Sequence, residues 1–233
     1  MRASPPKPPA LQPRSKETEH RILQTALQIL GESGAEGLTT INVSEAAGVS
    51  VGTIYRRFGN KEQLLRSTQS EFLRTFQEHL DKRLAKLSTS DAAAPERTIT
   101  HATRAMCENF RDYAAPLRQL LLIGMQNPEI YSDGHRASVE GGRKFGALIL
   151  RHRAALAHDD PDGAVDFAYR LTYALCSHRI TQGPLLESER PQSWADLIKE
   201  LSHANQAYLL AHPESYRDKS FSPSGRKSPD GDT

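Results

Sequence analysis

The chain has 233 residues, of which 37% are hydrophobic, so it holds one large domain or two small ones with part of its length outside any core. A formal net charge of +2 singles out no partner, so the placement of charge matters more than its total. The two cysteines, Cys107 and Cys176, form no CxxC pair, which argues against a disulfide framework and for a reducing compartment. The first residues hold no apolar run of the kind a secretory signal needs. The longest apolar run, Leu120–Met125, is far too short to cross a bilayer, and a cytoplasmic protein is expected.

Residues 1–16 carry Arg2, Lys7, Arg14 and Lys16 with no acid, and five prolines fall within residues 1–13. The stretch has too little apolar surface to offset ordering entropy and reads as an unstructured basic tail. Leu23, Ala26, Leu27 and Leu30 then recur at helical spacing, and Gly34 and Gly37 stop that helix. A short segment, Ile41–Ala47, carries few large side chains, and Gly48 after it can take a left-handed turn. Val49 can plug the space between two helices. Ser50 is a good N-cap for the next helix, Val51–Phe58, which would be about 12 Å long, comparable to a major groove.

Gly59 ends that short helix. Asn60 caps the next one, with Gln63 three residues on, as in a capping box. Leu64, Leu65, Phe72, Phe76, Leu80, Leu84 and Leu87 extend it through about seven turns, and Ser88–Pro95 breaks it. Further helices are predicted at about 96–114, 117–126, 132–157, 162–182 and 191–211. Their breakers are Pro116, Asn127-Pro128, the Asp-Pro-Gly cluster at 159–163 and Gly183-Pro184. Residues 213–233, rich in Ser, Pro, Gly, Lys and Asp, read as a second unstructured tail. No run alternates in the manner of a strand, so the expected fold is all-α.

Residues 49–61 contain Arg56, Arg57 and Lys61 and no acid. Ile54 and Phe58 lie four apart and can face a core, which leaves Thr53, Tyr55, Arg56 and Arg57 outside. Such a helix, with its N-terminus free, suits a groove lined by phosphates. The same features also fit an ordinary αα-corner with a solvated basic face.

The stretch Leu38–Leu65, LTTINVSEAAGVSVGTIYRRFGNKEQLL, resembles the helix-turn-helix of the tetracycline-repressor (TetR-type) family. Ala47-Gly48-Val49-Ser50, Gly52-Thr53-Ile54-Tyr55, Phe58, Asn60-Lys61-Glu62 and Leu64-Leu65 fall at that family's spacing. The resemblance implies a three-helix DNA-binding domain over residues 17–77, with the helix-turn-helix at about 39–58. It also implies a larger helical domain for effector binding and dimerisation over 78–212, between the tails at 1–16 and 213–233. By position, Thr40, Tyr55 and Lys61 would grip phosphates. Val51, Gly52 and Thr53 would lie at the groove end of the recognition helix, with Ser50 among the DNA-binding residues beside them. Thr53 can meet a base edge or a thymine methyl. Arg56 would contact guanine or phosphate, and Arg57 phosphate or nothing. Ile41 departs from members that read a base with a polar residue there, and Ser44 replaces a small apolar one.

The resemblance further implies a homodimer built on the last two long helices, 162–182 and 194–210. A small-molecule pocket is expected among the helices from 96 to 182. Its candidate lining is Met106, Phe110, Tyr113, Leu117, Leu121, Met125, Phe145, Tyr169 and Tyr173, residues that also suit a plain core. His101, His135, His152, His158 and His178 lack zinc spacing, and no metal or cofactor is expected. Gly141, Gly142 and Gly146 form no phosphate-binding fingerprint and suit close helix packing. Cys107 and Cys176 read as small buried hydrophobes. No catalytic constellation stands out. The expectation is a ligand-responsive transcriptional regulator, a repressor released from double-stranded operator DNA by a small-molecule effector. The competing reading is a helical protein with no DNA role.

Overall fold

A computed structural model describes residues 11–87, 90–186 and 189–211. Residues 1–10 and 212–233, which hold most of both expected tails, lie outside the described residues. The elements in chain order are α1 (Leu11–Gly37), α2 (Thr40–Ala47), α3 (Val51–Phe58), α4 (Lys61–Leu84), α5 (Pro95–Asp112), α6 (Ala114–Gly124), α7 (Pro128–Ile149), α8 (Pro161–Gln182) and α9 (Trp194–Leu210). Short 3-10 turns lie at Asp91–Ala93, Leu150–Ala155 and Pro184–Leu186. No strand occurs among the described residues, and the fold is all-α.

Helix α1 starts at Leu11, inside the stretch expected to be a tail. Pro13 lies in its first turn, where a missing N–H costs nothing. The regular helix breaks at Gly34, whose φ of 67° is left-handed. Proline positions correct two further expectations. Pro116 sits in the first turn of α6 rather than between helices, and the break falls at Tyr113 (φ −113°, ψ 18°). Pro128 is the first residue of α7, and Asn127 caps it by accepting from the N–H groups of Glu129 and Ile130. Helix α7 therefore begins four residues before the predicted 132 and ends at Ile149.

One contiguous core runs through the molecule. At one end, Ile22, Ala26 and Leu30 of α1 meet Val43 of α2, Ile54 and Phe58 of α3 and Leu64 of α4. Further along α4, Phe72, Phe76 and Leu80 are buried against α5 and α7. Each such side chain stabilises the fold by about 1.5–3 kcal/mol when fully buried. Helix α6 packs on α1 at Gly31, where a Cβ would stand 3.4 Å from Ala115, in ordinary van der Waals contact.

A buried polar clasp ties the other end together. Asn205 Nδ2 of α9 donates to Thr103 Oγ1 of α5 and to Thr172 Oγ1 of α8, each at 3.0 Å. Cys107 and Cys176 are buried thiols rather than a disulfide, with their sulfurs 3.6 Å apart. They occupy the core as small hydrophobes.

The turn between α2 and α3 depends on Gly48, at φ 62° and ψ 42°. A Cβ built on Gly48 meets nothing within 4 Å, so the cost of a side chain is backbone strain alone. Gly48→Ala is expected to lower unfolding free energy by about 1–2 kcal/mol. Gly48→Asn should cost less, because Asn tolerates this region. Chemical denaturation monitored by circular dichroism checks both the cost and its order.

Candidate nucleic-acid interface and internal cavity

The interface candidate is built from caps. Thr39 Oγ1 accepts from Asn42 N at 3.1 Å and starts α2, so Thr40 is its first residue. Ser50 Oγ accepts from Thr53 N at 3.2 Å and starts α3. Asn60 Oδ1 accepts from Gln63 N at 2.8 Å and starts α4 at an exposed Lys61. Helix α3 has only eight residues, too few to persist alone. It is anchored by Ile54, 1% exposed, and Phe58, 8% exposed.

The opposite side of α3 faces outward. Gly52, Tyr55 and Arg56 are exposed, and Val51 and Thr53 partly so. Ser50 Oγ lies 2.9 Å from Thr53 Oγ1, and Arg56 Nη2 donates to that same Thr53 oxygen at 3.3 Å. Ser50, Thr53 and Arg56 thus form a hydrogen-bonded row one turn apart per step. Tyr55 and Ile41 are large residues left in solvent, at 52% and 57% exposed.

Arg57 is placed differently from its neighbour. Its Nη2 donates to Ser15 Oγ at 3.1 Å, and its Nη1 pairs with Glu19 Oε2 at 3.5 Å. The side chain turns back to α1 and joins the two helices.

A cavity of about 310 Å³ lies between α4, α5, α6, α7 and α8. Of the residues expected to line it, Met106, Phe110, Leu117, Leu121, Tyr169 and Tyr173 do. Tyr113, Met125 and Phe145 do not. Tyr113 stands edge-on to Phe72 and Phe76 and bonds His79 Nδ1 through its hydroxyl. Met125 follows the end of α6 and is 80% exposed. Phe145 is buried against the Tyr169 ring, 5.9 Å between centroids.

The sequence reading missed the walls from α4 and α7. Gln69, Phe72, Leu73, Phe76 and Gln77 line the cavity from α4, and Ile130, Tyr131, His135 and Ser138 from α7. One signal was available. Gln69 falls on the apolar stripe Leu65–Phe72–Phe76–Leu80, where a polar residue is out of pattern. The rings of Phe72, Phe76, Phe110 and Tyr173 follow one another at 5.5–5.6 Å. Tyr169 donates its hydroxyl to Ser138 O at 2.5 Å, and burial pushes its phenol up to about 12, so it is a donor at neutral pH. Gly142 permits this contact, since a Cβ there would meet the Tyr169 ring at 2.9 Å.

The scattered histidines have local partners: His101 bonds backbone oxygens of Arg83 and Leu84, His152 bonds Thr98, and His158 bonds Tyr208 O. No helix among the described residues is long and apolar enough to cross a membrane.

Comparison with known proteins places this architecture. The profile of the family described as bacterial regulatory proteins, tetR family, matches residues 22–68. The transcriptional regulator HbdR of Aromatoleum sp. (strain CIB) is 28% identical over 92 residues, 40% of this chain and 38% of that relative. The chain thus spans under half of HbdR. The regulator CymR of Pseudomonas putida is 35% identical over 155 residues, 64% of this chain and 72% of CymR. A transcriptional regulator from Saccharomonospora viridis, solved in complex with choline, shares the fold at a TM-score of 0.66 and 18% identity, covering 84% of this chain and all of that one. The helix-turn-helix segment matches the family, and the likeness to CymR extends well beyond it; the chain belongs to the TetR family of bacterial regulatory proteins.

Proposed function

We propose that this chain is a dimeric, ligand-responsive transcriptional regulator in the cytoplasm, a repressor that leaves its operator when a small molecule fills the cavity between α4 and α8. The observation that carries the reading is the joining of two sites by one helix. Helix α4 begins beside α3 at Lys61 and supplies Gln69, Phe72 and Phe76 to the cavity. In this reading residues 17–77 read DNA, and residues 78–212 bind effector and partner.

Thr40, Tyr55 and Lys61 are assigned to phosphates. Val51, Gly52 and Thr53 enter the major groove, with Ser50 capping the helix beside them. Arg56 is assigned to a guanine edge, and its bond to Thr53 favours that role by fixing its direction before contact. Arg57, engaged with Ser15 and Glu19, is assigned to orienting α3 rather than to DNA. A neighbour of the same fold holds choline, which supports a small-molecule effector here without naming it.

Helices α4 and α6 both form cavity wall and both pack on α1. An effector that prefers a different spacing of these helices moves the base of the reading head. The coupling is limited to its differential affinity for the two states, about 1–3 kcal/mol in typical cases. Dimerisation through α8 and α9 is supported by the outer face of α8, where Phe167 is 51% and Leu175 37% exposed and Ala174 lies between them. A dimer would set two copies of α3 about 34–36 Å apart, or a multiple of that, along DNA.

A gel shift with promoter fragments flanking the coding gene tests the core of this reading. A specific, salt-sensitive shift is expected, and its absence at low salt with every fragment counts against DNA binding. Lys61→Ala should weaken binding to all sequences and reduce the slope of log K against log salt by about 1. Tyr55→Phe should weaken binding uniformly while leaving that slope in place, because a hydroxyl releases no counterion. Arg56→Ala should relax preference at one base step by about 1–3 kcal/mol, whereas a uniform loss would make it a backbone contact. Phe167→Glu should convert the dimer to a monomer in sedimentation velocity and weaken operator binding with it.

A further inference from the structure

One side chain of the cavity wall carries a buried polar atom with no hydrogen-bond partner among the described residues. Gln69 is 2% exposed and lines the cavity from α4. Its Nε2 donates to the carbonyl of Ile130 at 2.7 Å. A carbonyl only accepts, so this bond fixes which way the amide faces and makes the other end an acceptor. That acceptor, Gln69 Oε1, is buried without a hydrogen-bond partner. Ser177 Oγ and Asn205 Oδ1 share this condition among the described residues, but neither residue lines the cavity.

The other amides of the wall are engaged at both ends. Gln77 donates to Ala137 O and accepts from Lys144 Nζ. Asn109 donates to Phe76 O and accepts from Arg83 Nε. Among the amides of the wall the unused capacity is therefore an acceptor, and it belongs to Gln69. Among the described residues no Lys, Arg, Asp or Glu side chain lines the cavity; its ionisable groups are tyrosines and His135, an exposed residue stacked on the exposed Tyr131. An anion inside would lose its water without gaining a counter-charge. The volume of about 310 Å³ sits at the small end of ligand sites, roughly 300–1,000 Å³.

From this we infer that the cavity takes a small aromatic or compact aliphatic molecule that carries no anionic group and bears a hydroxyl or N–H donor, and that Gln69 Oε1 accepts that hydrogen. The inference rests on the effector reading above and sharpens it. It also places the contact on the helix that starts at Lys61, through a side chain that already holds α4 to the first turn of α7.

The test is calorimetric titration of the full chain with p-cresol, p-xylene and 4-methylbenzoate, which differ in one substituent. p-Cresol is expected to bind about tenfold or more tightly than p-xylene, since only the phenol satisfies the buried acceptor. The benzoate should bind more weakly than p-cresol. In Gln69→Leu the preference for p-cresol over p-xylene should vanish. The inference is overturned by equal affinity for p-cresol and p-xylene, by tighter binding of the benzoate, by an undiminished preference in Gln69→Leu, or by no binding of any probe. The comparison within the unaltered chain stands even where Gln69→Leu fails to fold. A gel shift run with the same probes separates the two readings. Discrimination without operator release keeps the site and removes the effector role. Release by p-cresol and p-xylene alike removes the site and keeps the effector role.

Discussion

Everything in this molecule depends on α4 being one uninterrupted helix. Its 24 residues span about 36 Å. Leu64 is fully buried at the end near α3, and Phe72, Phe76 and Leu80 are buried where α5 and α7 pack. Two different neighbourhoods thus hold one rigid element. One of the two buried polar residues between them fits without outside help, because Thr68 returns its hydroxyl to Leu64 O at 2.7 Å. A helix held at both ends cannot bend cheaply at its middle. Displacement at one end must then appear at the other as translation or tilt.

The reading head shows the complementary economy. Helix α3 is too short to be stable by propensity, so side-chain anchors and caps decide its position. Ile54 and Phe58 hold it from beneath, Ser50 closes its N-terminus, and Arg57 ties it to α1. Residues 46–61 contain no acid, so the exposed N–H groups of α3 meet no competing local anion. The adjacent arginines divide the work by direction. Arg57 points inward to Ser15 and Glu19, while Arg56 extends the row from Ser50 and Thr53. Helical geometry requires this split, because consecutive residues stand about 100° apart on a helix of 3.6 residues per turn.

Much of this was legible before any coordinates. Gly48, Ser50 and Asn60 act through local backbone chemistry, and their roles are readable from residue type and spacing. Ile54 and Phe58 are readable from periodicity. Arg57's engagement was not, because its partners lie 38 and 42 positions away and no local rule brings α1 over α3. The cavity was half legible for a similar reason. Aromatic stripes on α5 and α8 announce an apolar interior, but the stripe on α4 announces the same thing and lies outside the 96–182 stretch where a pocket is expected. Periodicity tells which face of a helix is buried. It does not tell whether that face meets side chains or empty space. Met125 and Phe145 fail in opposite directions. Met125 passes the end of α6 into solvent, and Phe145 packs so closely on Tyr169 that no space remains.

Gln69 shows what the residual errors mean. A buried glutamine on an apolar stripe breaks the pattern that builds the rest of α4, and in the described structure it leaves an acceptor unmet. Asn205 is a useful contrast. It too is buried, with one oxygen unpartnered, yet its amide nitrogen joins α5, α8 and α9 through Thr103 and Thr172, and it does not line this cavity. Its polarity is accounted for by the clasp. The single bond from Gln69 to Ile130 O fastens α4 to α7, a task that Gln77, bonded to Ala137 O, and Lys144, bonded to Gln77 and Asp81, already perform nearby. Stability alone therefore gives little reason for an amide at position 69. A polar group that packing does not require, in the wall of a largely apolar cavity, is explained most directly by something that enters that cavity.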